Sequence, residues 1–246
     1  MSRSVQKPCG VFVTGTDTGV GKTVVTAAIA TALKGHGVDA GIMKPIATGV
    51  TESQGSLSDP AWLRAVTGVT DPPDLIAPYR FGSPAAPLVA AAHAGQLIEL
   101  SRILDAFQSL CARHDCVIVE GVGGVLVPLT ADLFVTDMAK RLGLPALVVA
   151  RATLGSINHT LLTLDCLRSR GVPVLGLVFN HPTPPPAEPD VTETVPTILR
   201  LSELRSLGEL PYCAGLPAAW SQHQAQFAGR LNVEGLLETL GLYGVA

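Results

Sequence analysis

The most constraining feature of this sequence is a glycine-rich turn between an apolar run and a helical pattern. Val11-Phe12-Val13 leads into Gly15-Thr16-Asp17-Thr18-Gly19-Val20-Gly21-Lys22-Thr23, and an Ala/Val/Thr-rich stretch with helical spacing follows directly. Strand, turn, Gly-Lys-Thr and helix occur in the order of a phosphate-binding loop. Closely spaced glycines let backbone N–H groups turn toward an anion, and the helix N-terminus adds partial positive charge. The turn therefore predicts nucleotide phosphate binding.

Two side chains give this turn its expected chemistry. Lys22 is expected to reach the β- and γ-phosphates, and the Thr23 hydroxyl is expected to ligate Mg²⁺. The general spacing of the motif requires glycine at position 16, where the chain has Thr16, so counting from Gly15 leaves one residue too many. The alternative is a glycine-rich turn that carries a solvated lysine.

Short apolar runs alternate with longer amphipathic segments along most of the chain. They predict strands near residues 10–14, 40–44, 116–120, 146–150 and 174–179, and a weaker one near 208–213. Helical patterns fall near residues 22–34, 60–66, 85–94, 100–113, 135–142, 156–170 and 233–240. This alternation predicts an α/β fold, with helices on both faces of a doubly wound, mostly parallel sheet, in a single domain over residues 1–246. Ligands of such sheets bind beyond the carboxyl ends of the strands.

Composition limits the classes of partner. Only 15% of the residues are charged, and a formal net charge of −3 gives no general attraction to nucleic acid or to an anionic membrane. No apolar stretch approaches the ~20 residues of a membrane span. The five cysteines are odd in number and lack a Cys-x-x-Cys pair, and no signal peptide is evident. We therefore expect reduced thiols and a cytoplasmic protein.

Lys44 is the first candidate for chemistry at the sheet edge. It follows the apolar run Gly41-Ile42-Met43, at the point where a parallel strand leaves the sheet. A lysine there can neutralise a transferring phosphoryl group. Taken by itself, a lysine at a strand end is more often a solvated surface residue, but Lys22 is expected at the same sheet edge.

Two carboxylates are candidates for a metal site. Glu120 ends the run Val117-Ile118-Val119, and small residues follow it in Gly121-Val122-Gly123-Gly124. A carboxylate opposite a phosphate-binding loop is well placed to hold Mg²⁺, although it could also simply open a turn. Asp59 could supply a second carboxylate, or it could be the helix N-cap before a proline.

Four segments taken together resemble the dethiobiotin synthetases. They are Gly15 to Thr23, Lys44-Pro45-Ile46-Ala47-Thr48-Gly49, Val119-Glu120-Gly121-Val122-Gly123-Gly124 and Leu154-Gly155-Ser156-Ile157-Asn158-His159. The resemblance extends from about residue 11 to residue 213 and includes the longer loop spacing. It implies that ATP, Mg²⁺ and CO₂ convert 7,8-diaminopelargonate to dethiobiotin, with ADP and phosphate released. A carbamate and a carbamic-phosphoric anhydride are the implied intermediates.

The resemblance also implies roles for matching positions. The implied catalytic residues are Lys44 and Lys22. The triphosphate would contact Gly19, Val20, Gly21, Lys22, Thr23 and Val24, and the nucleotide would also meet Gly121, Val122 and Gly123. Mg²⁺ would be held by Thr23, Asp59 and Glu120. The base would lie against Asn180, His181, Pro211, Tyr212 and Cys213. The substrate would contact Thr48 and, from the other subunit of a homodimer, Leu154, Gly155, Ser156 and Asn158. The resemblance fades beyond Cys213, so residues 214–246 receive no role.

Two other functions use a similar core. An ATP-dependent amide ligase related to cobyrinate synthesis would need a glutamine-hydrolysing domain, for which this chain has no room. A dimeric partitioning-type ATPase switch would carry an additional lysine early in the loop, where this chain has Gly15-Thr16-Asp17. Both remain alternatives to the synthetase.

Overall fold

The computed structural model describes residues 10–50, 58–184 and 192–242. Its central feature is a six-stranded sheet in the order β2-β5-β1-β6-β7-β8, in which all neighbours are parallel. These strands are β1 (Gly10–Gly15), β2 (Ala40–Met43), β5 (Cys116–Gly124), β6 (Ala146–Ala150), β7 (Val174–Asn180) and β8 (Ser206–Leu210). Two short strands, β3 (Ile46–Thr48) and β4 (Tyr79–Phe81), form a separate parallel pair.

Helices cover both faces of the sheet. They are α1 (Lys22–Gly35), α2 (Asp59–Thr67), α3 (Pro73–Ile76), α4 (Pro87–His93), α5 (Leu100–Cys111), α6 (Val135–Leu142), α7 (Ser156–Ser169), α8 (Thr194–Ser202), α9 (Trp220–Ala228) and α10 (Val233–Leu240). Side chains alternate across β1, where Phe12 packs in one apolar cluster and Val11 and Val13 pack in another. The first cluster includes side chains from α4 to α8, and the second includes α1, α2, α9 and α10. The predicted doubly wound architecture is therefore confirmed.

The strands and helices expected from hydrophobic patterning are all present, with small shifts at their ends. The sequence did not predict β3, β4, α3, α8 or α9. Strands of three residues are too short for a pattern, and α9 buries only Trp220 and Phe227 along its length. Strand β5 continues to Gly124, so Glu120 lies inside it rather than at its end.

A charged cluster lies at the amino ends of β2 and β5. The His114 ring is within 3.0 Å of Asp39 through Nδ1 and within 2.8 Å of Asp71 through Nε2. Partial burial alone would lower the pKa of His114, but its hydrogen bonds to the two carboxylates raise it above the ordinary value. A Cβ at Gly41 would lie 2.4 Å from His114 Cδ2, so glycine makes room for the imidazole.

The cysteines differ in state. Cys116, Cys166 and Cys213 are free thiols, whereas Cys111 is disulfide-bonded, so the expectation of reduced thiols is wrong at Cys111. Burial raises the pKa of Cys116 to about 12, as expected for a packing residue. Cys9 and part of the proline-rich stretch near residues 181–189 lie outside the described residues. Among the described helices, none has the length and apolar character needed to cross a bilayer.

Candidate active site

The glycine-rich turn is held tightly between β1 and α1. Gly19 and Gly21 have left-handed backbones, with φ of 72° and 96°. A Cβ at Gly21 would lie 2.1 Å from Asn180 Nδ2, which instead donates to the Val20 carbonyl over 2.9 Å. Lys22 Nζ donates to the Asp17 carbonyl over 2.9 Å and is only 7% exposed, which excludes a solvated lysine.

Four functional side chains meet beside this turn. Thr23 Oγ1 donates to Glu120 Oε1 over 2.8 Å, and Lys44 Nζ donates to the same oxygen over 2.9 Å. Lys44 also forms an ion pair with Asp59. Ser58 occupies the N-cap of α2, so Asp59 is its first helical residue rather than the cap. The sheet topology thus brings together residues from α1 and α2, a residue within β5 and the residue that follows β2.

Burial gives the two lysines different protonation behaviour. Burial is the main cause that lowers the pKa of Lys22, to about 8. Burial also acts to lower the pKa of Lys44, but the carboxylates of Glu120 and Asp59 outweigh it and raise that pKa above the ordinary lysine value. Lys44 is therefore a permanent cation at neutral pH, and it is 6% exposed rather than solvated.

The oxygen atoms of this group suit Mg²⁺. Glu120 Oε2 is buried and has no hydrogen-bond partner among the described residues, so one carboxylate oxygen is available to a cation. The Thr23 hydroxyl contacts the other oxygen of Glu120, and the Asp59 carboxylate is joined to Glu120 through Lys44. No group of three or more His, Cys, Asp or Glu side chains in the described ranges could hold a metal by itself. Mg²⁺ is commonly bound by one or two carboxylates together with phosphate oxygens, and these residues fit that pattern.

Two adjoining cavities open at this edge of the sheet. The charged cavity, of about 330 Å³, is lined by Thr18, Gly19, Gly21, Lys22, Thr23, Lys44, Thr48, Asp59, Glu120, Gly121, Val122 and Gly123. The aromatic cavity, of about 370 Å³, is lined by Gly21, Thr23, Val24, Asp59, Trp62, Asn180, His181, Pro182, Pro211, Tyr212, Cys213, Gly215, Leu216 and Pro217. Gly21, Thr23 and Asp59 line both. The two cavities therefore form a continuous groove with a cationic end and a more apolar end.

Nearly all the site residues expected from the sequence lie along this groove. Val20 is buried, and its carbonyl accepts the hydrogen bond from Asn180 Nδ2. Leu154, Gly155, Ser156 and Asn158 follow β6 at the same sheet edge, but they line neither cavity of this chain. Leu154 is 97% exposed. Trp62 and Pro217 were missed, although Trp62 follows Asp59 by three residues, a spacing that places both on one helix face.

Comparison with known proteins identifies the family. A model of an AAA domain matches residues 9–219. The ATP-dependent dethiobiotin synthetase BioD of Anaeromyxobacter dehalogenans (strain 2CP-C) is 47% identical over 203 residues, which cover 82% of this chain and 90% of the relative. The BioD of Bacillus subtilis subsp. natto is 35% identical over 233 residues, 95% of this chain and 99% of the relative. The chain belongs to the dethiobiotin synthetase family.

Solved structures agree on the fold of this dethiobiotin synthetase family member. The septum site-determining protein MinD from Pyrococcus horikoshii OT3, complexed with Mg-ADP, aligns with a TM-score of 0.55 and 16% identity over 96% of this chain and 98% of MinD. A ParA family ATPase from Chlorobium tepidum TLS aligns with a TM-score of 0.51 and 14% identity over 96% and 99%. These neighbours are P-loop NTPases, and at such low identity they show the fold alone. Because the relatives at 35% to 47% identity are dethiobiotin synthetases, the partitioning switch and the amide ligase are not favoured.

Proposed function

We propose that this chain is an ATP-dependent dethiobiotin synthetase, which converts 7,8-diaminopelargonate, CO₂ and ATP to dethiobiotin, ADP and phosphate. The observation that carries the proposal is the convergence of Lys22, Lys44 and Glu120 on one charged cavity. The relatives support it, because their similarity extends over 82% to 95% of this chain. We also propose that the chain works as a single domain in the cytoplasm.

In this reaction the protein mainly positions the reactants and neutralises charge, and it forms no covalent bond to them. One substrate amine adds to CO₂ and loses a proton, which gives a carbamate. A carbamate oxygen attacks the γ-phosphorus, and the bond to the β-γ bridging oxygen breaks with its electron pair leaving on ADP. The second amine then attacks the carbamic carbon, loses a proton and expels phosphate, which closes the cyclic urea.

The two lysines have separate tasks in this scheme. Lys22 sits at the start of α1, where it would hold the β- and γ-phosphates after leaving the Asp17 carbonyl. Lys44, cationic because of its two carboxylate neighbours, would face the carbamate and stabilise the charge that develops on the transferred phosphoryl group. Thr23, Asp59 and Glu120 would hold Mg²⁺, which supplies further neutralisation of phosphate charge when bound.

The aromatic cavity would hold the nucleoside. Its Asn180 amide can offer a donor and an acceptor to an adenine edge, and Pro211, Tyr212 and Cys213 would lie along the base beside His181. The backbone of residues 19–24 and 121–123 would surround the phosphates. Thr48, in the wall of the charged cavity, would contact the substrate.

A homodimer would complete the site. Leu154 to Asn158 line neither the charged nor the aromatic cavity of the described residues, and Leu154 is an apolar side chain that is 97% exposed. The segment ends in the first turn of α7, whose N-terminal N–H groups suit a carboxylate. We propose that this segment contacts the substrate carboxylate in the partner's charged cavity.

The proposal is tested by phosphate release from ATP with diaminopelargonate, bicarbonate and Mg²⁺ each omitted in turn, with mass spectrometry of the product. We expect dethiobiotin and phosphate in equal amounts, and only in the complete mixture. Phosphate release that does not depend on the diamine would contradict the proposed substrate.

A further inference from the structure

Helix α2 presents two different side chains to the groove. Asp59 and Trp62 are three residues apart and therefore lie on one face of the helix. Asp59 lines both cavities, whereas Trp62 lines only the aromatic cavity of these two. A single helical turn thus reaches from the charged end of the groove to its nucleoside end.

Trp62 contacts the C-terminal part of the chain through a hydrogen bond and a ring contact. Its indole Nε1 donates to the Pro217 carbonyl over 3.3 Å. Its ring packs edge-to-face on Trp220, with centroids 5.5 Å apart at 78°, and Trp220 stacks on Phe227 at 5.8 Å. The indole is only 8% exposed. Trp62 therefore joins α2 to a segment for which the sequence suggested no function.

That segment forms part of the cavity wall. Gly215, Leu216 and Pro217 line the aromatic cavity together with Trp62. The Pro217 carbonyl accepts two hydrogen bonds, one from the Trp62 indole over 3.3 Å and one from the Trp220 backbone N–H over 3.2 Å. Removing the indole would leave the carbonyl with the Trp220 donor alone and would open a cavity behind residues 215–217.

We propose that Trp62 is a positioning residue for the nucleoside part of ATP. It holds the wall of residues 215–217 in place and ties this wall, through one turn of α2, to Asp59 in the charged cavity. The inference rests on the proposed ATP dependence but goes beyond it, because it assigns nucleotide binding to residues after Cys213. A residue that served packing alone would affect unfolding without a selective effect on the nucleotide.

The test compares Trp62→Ala and Trp62→Phe with Arg64→Ala, which removes an exposed side chain from the same helix. ADP affinity is measured by calorimetry, and KM is measured separately for ATP and for the diamine, well below each unfolding midpoint. We expect Trp62→Ala to weaken ADP binding and to raise the KM for ATP by about tenfold, with less than about a twofold change in the KM for the diamine. Trp62→Phe keeps a ring beside Trp220 but loses the bond to Pro217, so its ADP affinity should fall by about threefold. Arg64→Ala should bind ADP as the wild type does.

A second measurement does not depend on how well the alanine variant folds. The chain has two tryptophans, so Trp220→Phe leaves Trp62 as the single indole reporter. We expect ADP to change the emission of Trp62 in this variant. Unchanged emission with ADP bound, or wild-type ADP affinity in folded Trp62→Phe and Trp62→Ala, would overturn the inference. A wild type that binds ADP but does not consume the diamine would contradict the proposed function and leave the role of Trp62 intact.

Discussion

Lys44 and Glu120 form a buried ion pair, with 2.9 Å between Nζ and Oε1, although 76 residues separate them in the chain. The Thr23 hydroxyl donates to the same carboxylate oxygen, and within the described part of the chain the other oxygen of Glu120 has no partner. Burying opposite charges costs desolvation energy that their attraction only partly offsets. This arrangement therefore makes most sense where additional charged groups, namely phosphates and Mg²⁺, join it.

Lys44→Ala should abolish most of the turnover while ATP still binds. The variant loses the cation that faces the transferring phosphoryl group, which we expect to lower kcat by about 10²- to 10³-fold. Lys22 still holds the nucleotide, so ADP affinity measured by calorimetry should change much less. Lys34→Ala, which removes an exposed lysine at the far end of α1, is the matched control. Wild-type turnover in Lys44→Ala would remove Lys44 from the mechanism.

Glu120→Gln should change the magnesium requirement. The amide preserves the shape of the side chain but removes the negative charge and supplies only one oxygen. We expect the Mg²⁺ concentration for half-maximal phosphate release to rise by about 10-fold or more. Glu234→Gln, an exposed carboxylate on α10, serves as the control. An unchanged magnesium titration for Glu120→Gln would place the metal elsewhere.

Alanine substitutions at the two ends of α1 should change stability in opposite directions. Gly21→Ala puts a methyl group 2.1 Å from Asn180 Nδ2 at a φ of 96°, so we expect a loss of at least about 1–2 kcal/mol of stability and weaker ADP binding. At Gly35, the last residue of α1, an added methyl group would meet no atom of the described residues within 4 Å, so Gly35→Ala should gain about 0.5–1 kcal/mol of stability. Thermal unfolding of both variants checks this contrast, and equal midpoints would refute it.

The His114 cluster predicts a pH-dependent contribution to stability. The folded-state pKa of His114 is raised by Asp71 and Asp39, so its contribution is fully present below the unfolded value of about 6.5. It is lost as the pH rises through the higher folded-state pKa. The difference in Tm between the wild type and His114→Gln should therefore be largest near pH 6 and should shrink toward pH 9. His36→Gln, where the ring faces the Ala32 carbonyl, is the control. A difference that grows with pH would contradict the assignment.

A site shared between subunits can be tested by complementation. Lys44→Ala damages the charged cavity, and Asn158→Asp places a negative charge where the partner's substrate carboxylate is proposed to bind. Each variant alone should be nearly inactive. In a random mixture, half of the dimers combine the two variants and contain one intact site, so about a quarter of the wild-type activity should return. Hybrid dimers that form but stay inactive would argue for a site built within one chain.

Much of the fold followed from local patterns. Apolar runs such as 117–119 and 146–150 form buried strands because a strand covered on both faces must be continuously apolar. The glycine-rich turn was also recognisable from the sequence, and two of its glycines, Gly19 and Gly21, adopt the left-handed backbone that favours glycine. In contrast, β3 and β4 owe their existence to pairing with each other across 30 intervening residues, and no local pattern marks them.

The candidate site was predictable where a residue stands next to a recognisable motif or a continuous apolar run, as with Lys22, Lys44 and Glu120. Trp62 was not, because its importance depends on Pro217, 155 residues away. The sequence by itself determined the order of strands and helices, the phosphate-binding turn and the family, since these depend on spacing along the chain. Only the tertiary structure decided which side chains share the Glu120 oxygen, how the groove divides into a charged and an aromatic cavity, and that Trp62 packs behind residues 215–217. These contacts join distant segments, so they depend on the order of the strands in the sheet.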